Sequence, residues 1–336
     1  MCEIFYEISG MKNAKQFITL YNKAAEERFA RFGEYYPVRT WDELYADQNR
    51  IYEEHLKDKT VCGAATSAYL RLLPSALGDF GLYTAFQERS CETLNNVLFQ
   101  TARRQLLLGG ITAGGTDHCN FLLDLLTAFS CNDFEVFARF FPASLPFAVS
   151  PFYVAPAMNM IKVLYYGESV HLPEVLAQAD SFLKKKSAVF DTAVVGYLAA
   201  LIRRDHKAAG GALEQACAGY QRMQTGYVFG KYMKCFAKEV HGLYRLARLV
   251  DSDFFETVTP PEHPAFCAEF ECWQKEHQYP AGRLFYRYPD EMHYMNRIFA
   301  APIPDVALVV GRRKNERYKD VDKFLADLTA AVQRVP

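Results

Sequence analysis

Four residues near the C-terminal third could bind a metal. His263, Cys267, Cys272 and His277 are ligand types that zinc selects. The segment from Pro264 to His277 reads as a helix with Pro264 near its first turn. At about 100° per residue, Cys267 and His277 lie about 40° to either side of His263, and Cys272 about 180° away. One helix cannot gather all four, and Trp273 marks the Cys272 side as core, so no metal site is expected. Asp117-His118-Cys119 and Asp205-His206 place catalytic residue types side by side. A catalytic triad needs convergence in space with an orienting group, and adjacent helical residues diverge. Cys119 therefore reads as a buried thiol, and Asp205 as a helix cap with an exposed neighbour.

Two glycine-bearing stretches invite a phosphate-site reading. Gly226 to Tyr232 has three residues between its glycines where a phosphate loop needs four, and Tyr232 follows Lys231 where Ser or Thr would reach magnesium. Gly109 to Asp117 precedes a helix, but no strand leads into it as a dinucleotide site requires. It reads as a loop capped by Thr116 or Asp117. No His-Glu-x-x-His motif, nucleophile elbow or kinase set occurs. No catalytic residue, metal or cofactor is assigned.

The elements around these residues are helical. Leu126 to Glu135 and Leu198 to Lys207 share one plan: an apolar helix ends at a polar spot and restarts after an Asp that can accept from the next helix's first amides. Ala247 to Asp253 is a looser third copy. Further helices are expected at 12–31, with Phe17, Leu20, Tyr21, Ala24, Ala25 and Phe29 on its inner face, and at 40–56, where Thr40 and Glu43 form a capping box. Others are expected at 62–73, 77–108, 117–130, 133–141, 158–165, 172–185, 189–203, 207–223, 231–250 and 319–332. Val306 to Val310 is a β-branched run suited to one short strand. The fold class is all-α, with irregular stacked helical hairpins resembling a solenoid. The expected organisation is an N-terminal half at 1–142, a proline-rich buried connector at 143–166 and a C-terminal half at 167–336, or the same elements as one continuous domain.

The chain has 336 residues, half of them apolar and 15% aromatic, enough to bury a large core. A net charge of −1 argues against nucleic acid or an anionic membrane as partner. The charge is nevertheless uneven: residues 203–248 carry nine Lys/Arg against three Asp/Glu, and residues 251–296 the reverse. Nine cysteines without regular spacing read as buried thiols in a reducing compartment. Met1 to Gln16 has no sustained apolar core for a secretory signal, and Pro142, Pro146, Pro151 and Pro156 interrupt the longest uncharged stretch. A cytoplasmic protein is expected.

The acidic stretch is interleaved with aromatics, and that combination supplies contact area together with charge steering. Glu269, Glu271, Trp273, Glu276, Tyr286, Tyr288, Asp290, Glu291 and Tyr294 are the candidate partner-binding residues. On this reading, reversing Glu269, Glu271 and Glu276 to Lys weakens partner binding and leaves the fold intact.

The run Val195 to Asp205, then Ala212 to Tyr220, then Phe236 to Ala247 resembles the helical core of the Imm49 family of immunity proteins from bacterial polymorphic toxin systems. The likeness covers about 55 residues. It implies an all-α cytoplasmic protein that binds and neutralises a cognate toxin, without catalytic residues. An acidic aromatic patch would suit a toxin with a basic cleft, such as a nuclease. A helical-repeat scaffold or adaptor for an endogenous partner is the alternative, and an enzyme built from dispersed residues a third.

Overall fold

Helix starts in this chain are set by side-chain caps. Thr40 accepts from the Glu43 N–H at 3.1 Å, and the Glu43 carboxylate accepts from the Arg39 N–H at 2.6 Å. Ser90, Asp205, Asp251 and Asp320 likewise accept from the amide three residues on. Each of these bonds satisfies one of the donors that a helix start leaves unpaired.

The computed structural model describes residues 11–33, 36–59, 63–73, 76–112, 118–223, 230–311 and 317–336. Among the described residues it is an all-α protein with one small hairpin. The N-terminal helices are α1 (Ala14–Phe32), α2 (Trp41–Ile51, continued by a wider π turn), α3 (Gly63–Leu72), α4 (Leu77–Glu88), α5 (Cys91–Gly110), α6 (Leu122–Ser130) and α7 (Val136–Phe140). Then come α8 (Val154–Tyr166), α9 (Leu172–Leu183), α10 (Val189–Ile202), α11 (His206–Arg222), α12 (Lys238–Leu246), α13 (Ser252–Thr257), α14 (Ala268–Glu276), α15 (His293–Ala300) and α16 (Val321–Gln333). Strands β1 (Leu308–Val310) and β2 (Arg317–Lys319) pair antiparallel.

The repeated signature is a turn. After α4, α6 and α10 the chain makes the same reversal: the residue at the turn (Arg89, Asn132, Arg204) has positive φ, and the next amide donates back to Ala85, Ala128 or Ala200 at 2.9–3.0 Å. Asp205 then caps α11. Asp133 does not cap α7, contrary to the sequence reading. It is buried and takes a bidentate contact from Arg103 at 2.7 and 3.2 Å. That charge-assisted pair outcompetes the local cap.

Several boundaries differ from expectation. The 77–108 stretch is two helices broken at Arg89-Ser90, and α5 runs on through Gly109 to Gly110. The 231–250 stretch is interrupted by extended backbone at Phe236, so α12 spans only Lys238–Leu246. The segment after Pro264 becomes helical only at Ala268. On α1, Phe17, Tyr21 and Ala25 are buried at i, i+4 and i+8, but Phe29 is 43% exposed.

The proline-rich connector is held by α8, which is longer than expected and buried along Ala155 to Val163. Asn159 exchanges hydrogen bonds with both the N–H and the C=O of Ala148 at 2.8 and 3.0 Å. Lys162 donates to the carbonyls of Ala143 and Leu145. These side chains satisfy backbone groups that irregular buried chain would leave orphaned.

The stack is closed by helices far apart in sequence. α12 packs along α6, the 231–235 turn packs on α1, and α16 packs on α3. One core cluster of buried residues runs from Met11 to Val332. Gly242 makes the α6–α12 approach close, since a Cβ there would meet the Leu126 carbonyl oxygen at 1.8 Å.

Candidate functional site

The nine sequence-derived candidates separate by depth. Glu271, Tyr288 and Tyr294 are interior, which removes them from any surface patch. Glu269, Trp273 and Tyr286 are half-buried, while Glu276, Asp290 and Glu291 are exposed. Tyr294 pairs with Thr66 at 2.8 Å and packs edge-on against Tyr69. The Tyr288 hydroxyl sits in the interior, where burial pushes its pKa up. Glu269 accepts from the Lys12 N–H, and Trp273 lies between Phe270 and His277.

Glu271 turns inward because α12 offers it two partners. One carboxylate oxygen meets His241 Nδ1 at 2.5 Å, and the other meets Arg245 Nη2 at 2.5 Å. His241 Nε2 accepts from the Cys267 N–H at 3.2 Å, so Nδ1 carries the proton and donates to Glu271. Burial pushes the His241 pKa down, against the pull of Glu271, and the ring stacks on Phe266 at 4.1 Å. Arg245 lies over the Tyr279 ring at 4.8 Å. A His–carboxylate pair is the beginning of a general base, but here both imidazole nitrogens are occupied and His241 is fully buried. The arrangement is a pinned ion network joining α12 to α14.

A second charged layer lies between α4, α5 and α12. Asp79, Arg104 and Lys238 border a space of about 90 Å³ walled by Leu82, Val97 and Phe299. The Tyr232 hydroxyl donates to Asp79 at 2.7 Å, and Lys238 donates to Thr127 and Glu239 at 2.8 and 2.6 Å. Burial pushes the Asp79 carboxyl above its ordinary range. The space has room for roughly three waters, too little for an ordinary substrate.

Of the metal-type residues, Cys267 is buried at the N-cap of α14, while His263 Nδ1 accepts from the Ala265 N–H and His277 Nδ1 faces the Trp273 carbonyl. Among the described residues no three His, Cys, Asp or Glu side chains gather as a metal set. Seven cysteines are described, all free thiols, and five of them are buried. Residues 224–229 and 113–117, which carry most of the two glycine loops and Asp117, lie outside the described residues, as do Met1 to Gly10.

What the fold brings together instead is an exposed aromatic face. Trp41, at the first position of α2, stacks on Tyr286 with ring centroids 5.7 Å apart and meets Phe80 edge-on at 4.9 Å. It remains 44% exposed, and Tyr45, one turn on, is 43% exposed. Separately, the end of α1 exposes Phe29 and Phe32, with the Arg28 guanidinium over the rings of Phe32 and Tyr36 at 5.2 and 5.1 Å. The Tyr286 hydroxyl donates to Gln48, which anchors the 284–286 segment to α2. Only Tyr286 of this set was a sequence candidate. The missed signal was the wheel of α2: with Leu44, Gln48 and Ile51 inside, Trp41 and Tyr45 share a different flank.

No family model, curated protein or solved structure matches this chain. Among the described residues no helix is long and apolar enough to cross a membrane.

Proposed function

We propose that this chain is a non-catalytic, immunity-type protein of the cytoplasm that binds a cognate toxin and occludes it, using the Trp41–Tyr45–Tyr286 face. The observation that carries this reading is the exposure of Trp41 and Tyr45 at the start of α2, with Tyr286 stacked beside Trp41. These residue types dominate binding energy at protein interfaces because they give large contact area for little lost rotamer freedom. The resemblance of Val195 to Ala247 to the Imm49 family supports the toxin as the partner.

The binding face moves accordingly from the acidic third to the α1–α2 corner. Glu271 is neutralised inside by Arg245, so the acidic count over 251–296 overstates the charge that a partner would meet. Occlusion then rests on aromatic area, and a nuclease is no better fitted than another toxin. The experiment is co-expression with the product of the immediately upstream gene, scored as growth and as a complex on gel filtration. The expected result is rescue by the wild-type chain and loss of rescue by Trp41→Ala/Tyr45→Ala at unchanged melting temperature. A harmless neighbour, or rescue indifferent to the double variant, would overturn the reading.

A further inference from the structure

We propose that one end of the α8–α10–α11 layer docks on an anionic lipid bilayer, inserting Val149 and Phe152 among Lys184, Lys185, Lys186 and Arg222. The apolar part is a loop held at both ends. Asn159 pins the Ala148 backbone, and the Phe152 carbonyl accepts from the Ala155 N–H at 3.2 Å as α8 begins. Between these anchors Val149 is 91% exposed and Phe152 63% exposed, with Pro151 exposed between them. The Phe152 N–H donates to Ser150 Oγ at 3.3 Å, which tightens the loop. Large apolar side chains left this bare and this close together mark an interaction site.

Three further parts of the chain meet at this end. The Tyr153 ring lies 6.4 Å from that of Phe190 in the first turn of α10, and Val189 beside it is 43% exposed. A Cβ on Gly219 would meet the Phe190 backbone nitrogen at 2.5 Å, so the end of α11 lies against the same spot. Arg222 follows three residues on, about 4.5 Å further along the helix axis. The α9–α10 connector carries the three lysines, and chain length alone keeps Lys186 within about 10 Å of Val189. All four cations are exposed, and among the described residues none has a hydrogen bond or ion pair from its side chain. Of the neighbouring acids, Asp191 is half-buried and Asp180 is held by Arg203 at 2.7 and 2.8 Å.

A bilayer fits this end better than a protein does. Stable peripheral attachment takes two weak signals together, here an apolar wedge and a basic cluster. Four uncompensated cations make a cluster of the size that anionic headgroups hold. Val149 touches almost nothing of its own chain, so the tip is convex. A fluid interface accepts a convex apolar knob without matching its shape, whereas a protein would have to supply a fitted acidic pocket. The net charge of −1 is no obstacle, because at physiological salt the headgroups respond to charge within about 8 Å. In the docked state Val149 and Phe152 enter the acyl boundary, and the lysine ammonium groups stay at headgroup level.

Co-sedimentation of the full chain with vesicles tests the proposal, using phosphatidylcholine alone and phosphatidylcholine with about 30% phosphatidylserine. The expected result is binding to the anionic vesicles only, most of it lost between about 0.1 and 0.5 M salt. Reversing Lys184, Lys185 and Lys186 together to Glu should lower the partition coefficient at least about 100-fold. Val149→Ser/Phe152→Ser, which keeps every charge, should lower it at least about fivefold. Lys207→Glu, at the opposite end of α11 and about 20 Å away, should leave it within about twofold. All these positions are exposed, and a circular dichroism melt of each variant confirms that it is folded. The assay contains no toxin, so its outcome is separate from that of the rescue experiment. A chain that stays in the supernatant with anionic vesicles would overturn the proposal and leave the tip to an acidic protein. Binding that the lysine and the serine variants both leave intact would overturn it equally.

Discussion

Glu271 shows how one side chain changes meaning with depth. In sequence it sits among nine acidic residues and reads as surface charge; in the fold it is shared by His241 and Arg245. Removing it would leave the Arg245 guanidinium buried without a counter-charge, so Glu271→Ala should cost about 3–5 kcal/mol in denaturant unfolding. Glu276→Ala, at an exposed site, should stay within about 0.5 kcal/mol. Equal effects would show that Glu271 faces solvent. A charge reversal there cannot report on partner binding, because it would first unfold the α12–α14 junction.

Two buried titrations act in opposite directions. His241 has its pKa pushed down by burial, so the unfolded chain takes up a proton that the folded one refuses. Its contribution is present above about pH 6.5 and is lost as pH falls. Asp124 has its pKa pushed up by burial to about 6, with Lys238 opposing. Its carboxyl is tolerated when neutral, and its contribution is lost as pH rises through about 6. Asp124→Asn should therefore stabilise the protein by about 1–2 kcal/mol at pH 7.5 and by almost nothing below pH 4. Urea unfolding at the two pH values decides it: an equal gain at both, or a loss at pH 7.5, would contradict the assignment.

At the scale of elements, Gly242 is the tightest constraint. Gly242→Ala would drive a methyl group into the Leu126 carbonyl and prise α12 from α6. The expected cost is at least about 2–3 kcal/mol, seen as a lowered melting temperature; an unchanged melt would mean that the two helices are not in contact. Most helices could be read from sequence because caps and apolar spacing are local signals. Thr40, Asp205 and Asp251 cap the helices that follow them, each within three residues. What was illegible is non-local. Asp133 turns to Arg103, thirty residues earlier, and Glu271 turns to a helix thirty residues back. The clue to the second lay on α12 itself: His241 and Arg245, one turn apart, are polar groups on a helix that buries Val240, Leu243 and Leu246 as well. A helix enclosed on all sides must bring its counter-charge from elsewhere.

At the scale of the molecule, the aromatic corner was the part hardest to foresee, because Trp41 and Tyr286 lie in segments the sequence reading treated separately. If that corner is the docking face, Trp41→Ala alone should weaken the partner complex by about 2–4 kcal/mol, roughly 30- to 1000-fold in Kd. Isothermal titration with the purified partner measures this, and a change below threefold would move the interface elsewhere.

The α6–α12 contact also sets a timetable for synthesis. α6 is apolar on nearly every face, and the helix that covers it ends at Leu246, about 115 residues further along the chain. At about 5–20 residues per second, α6 leaves the ribosome roughly 6–23 s before its cover is made. During that interval the face of α6 that α12 covers is bare, although α5 already lies against another face, so the nascent chain is a natural client for a holding chaperone. Truncation anywhere before α12 should leave the chain in that uncovered state.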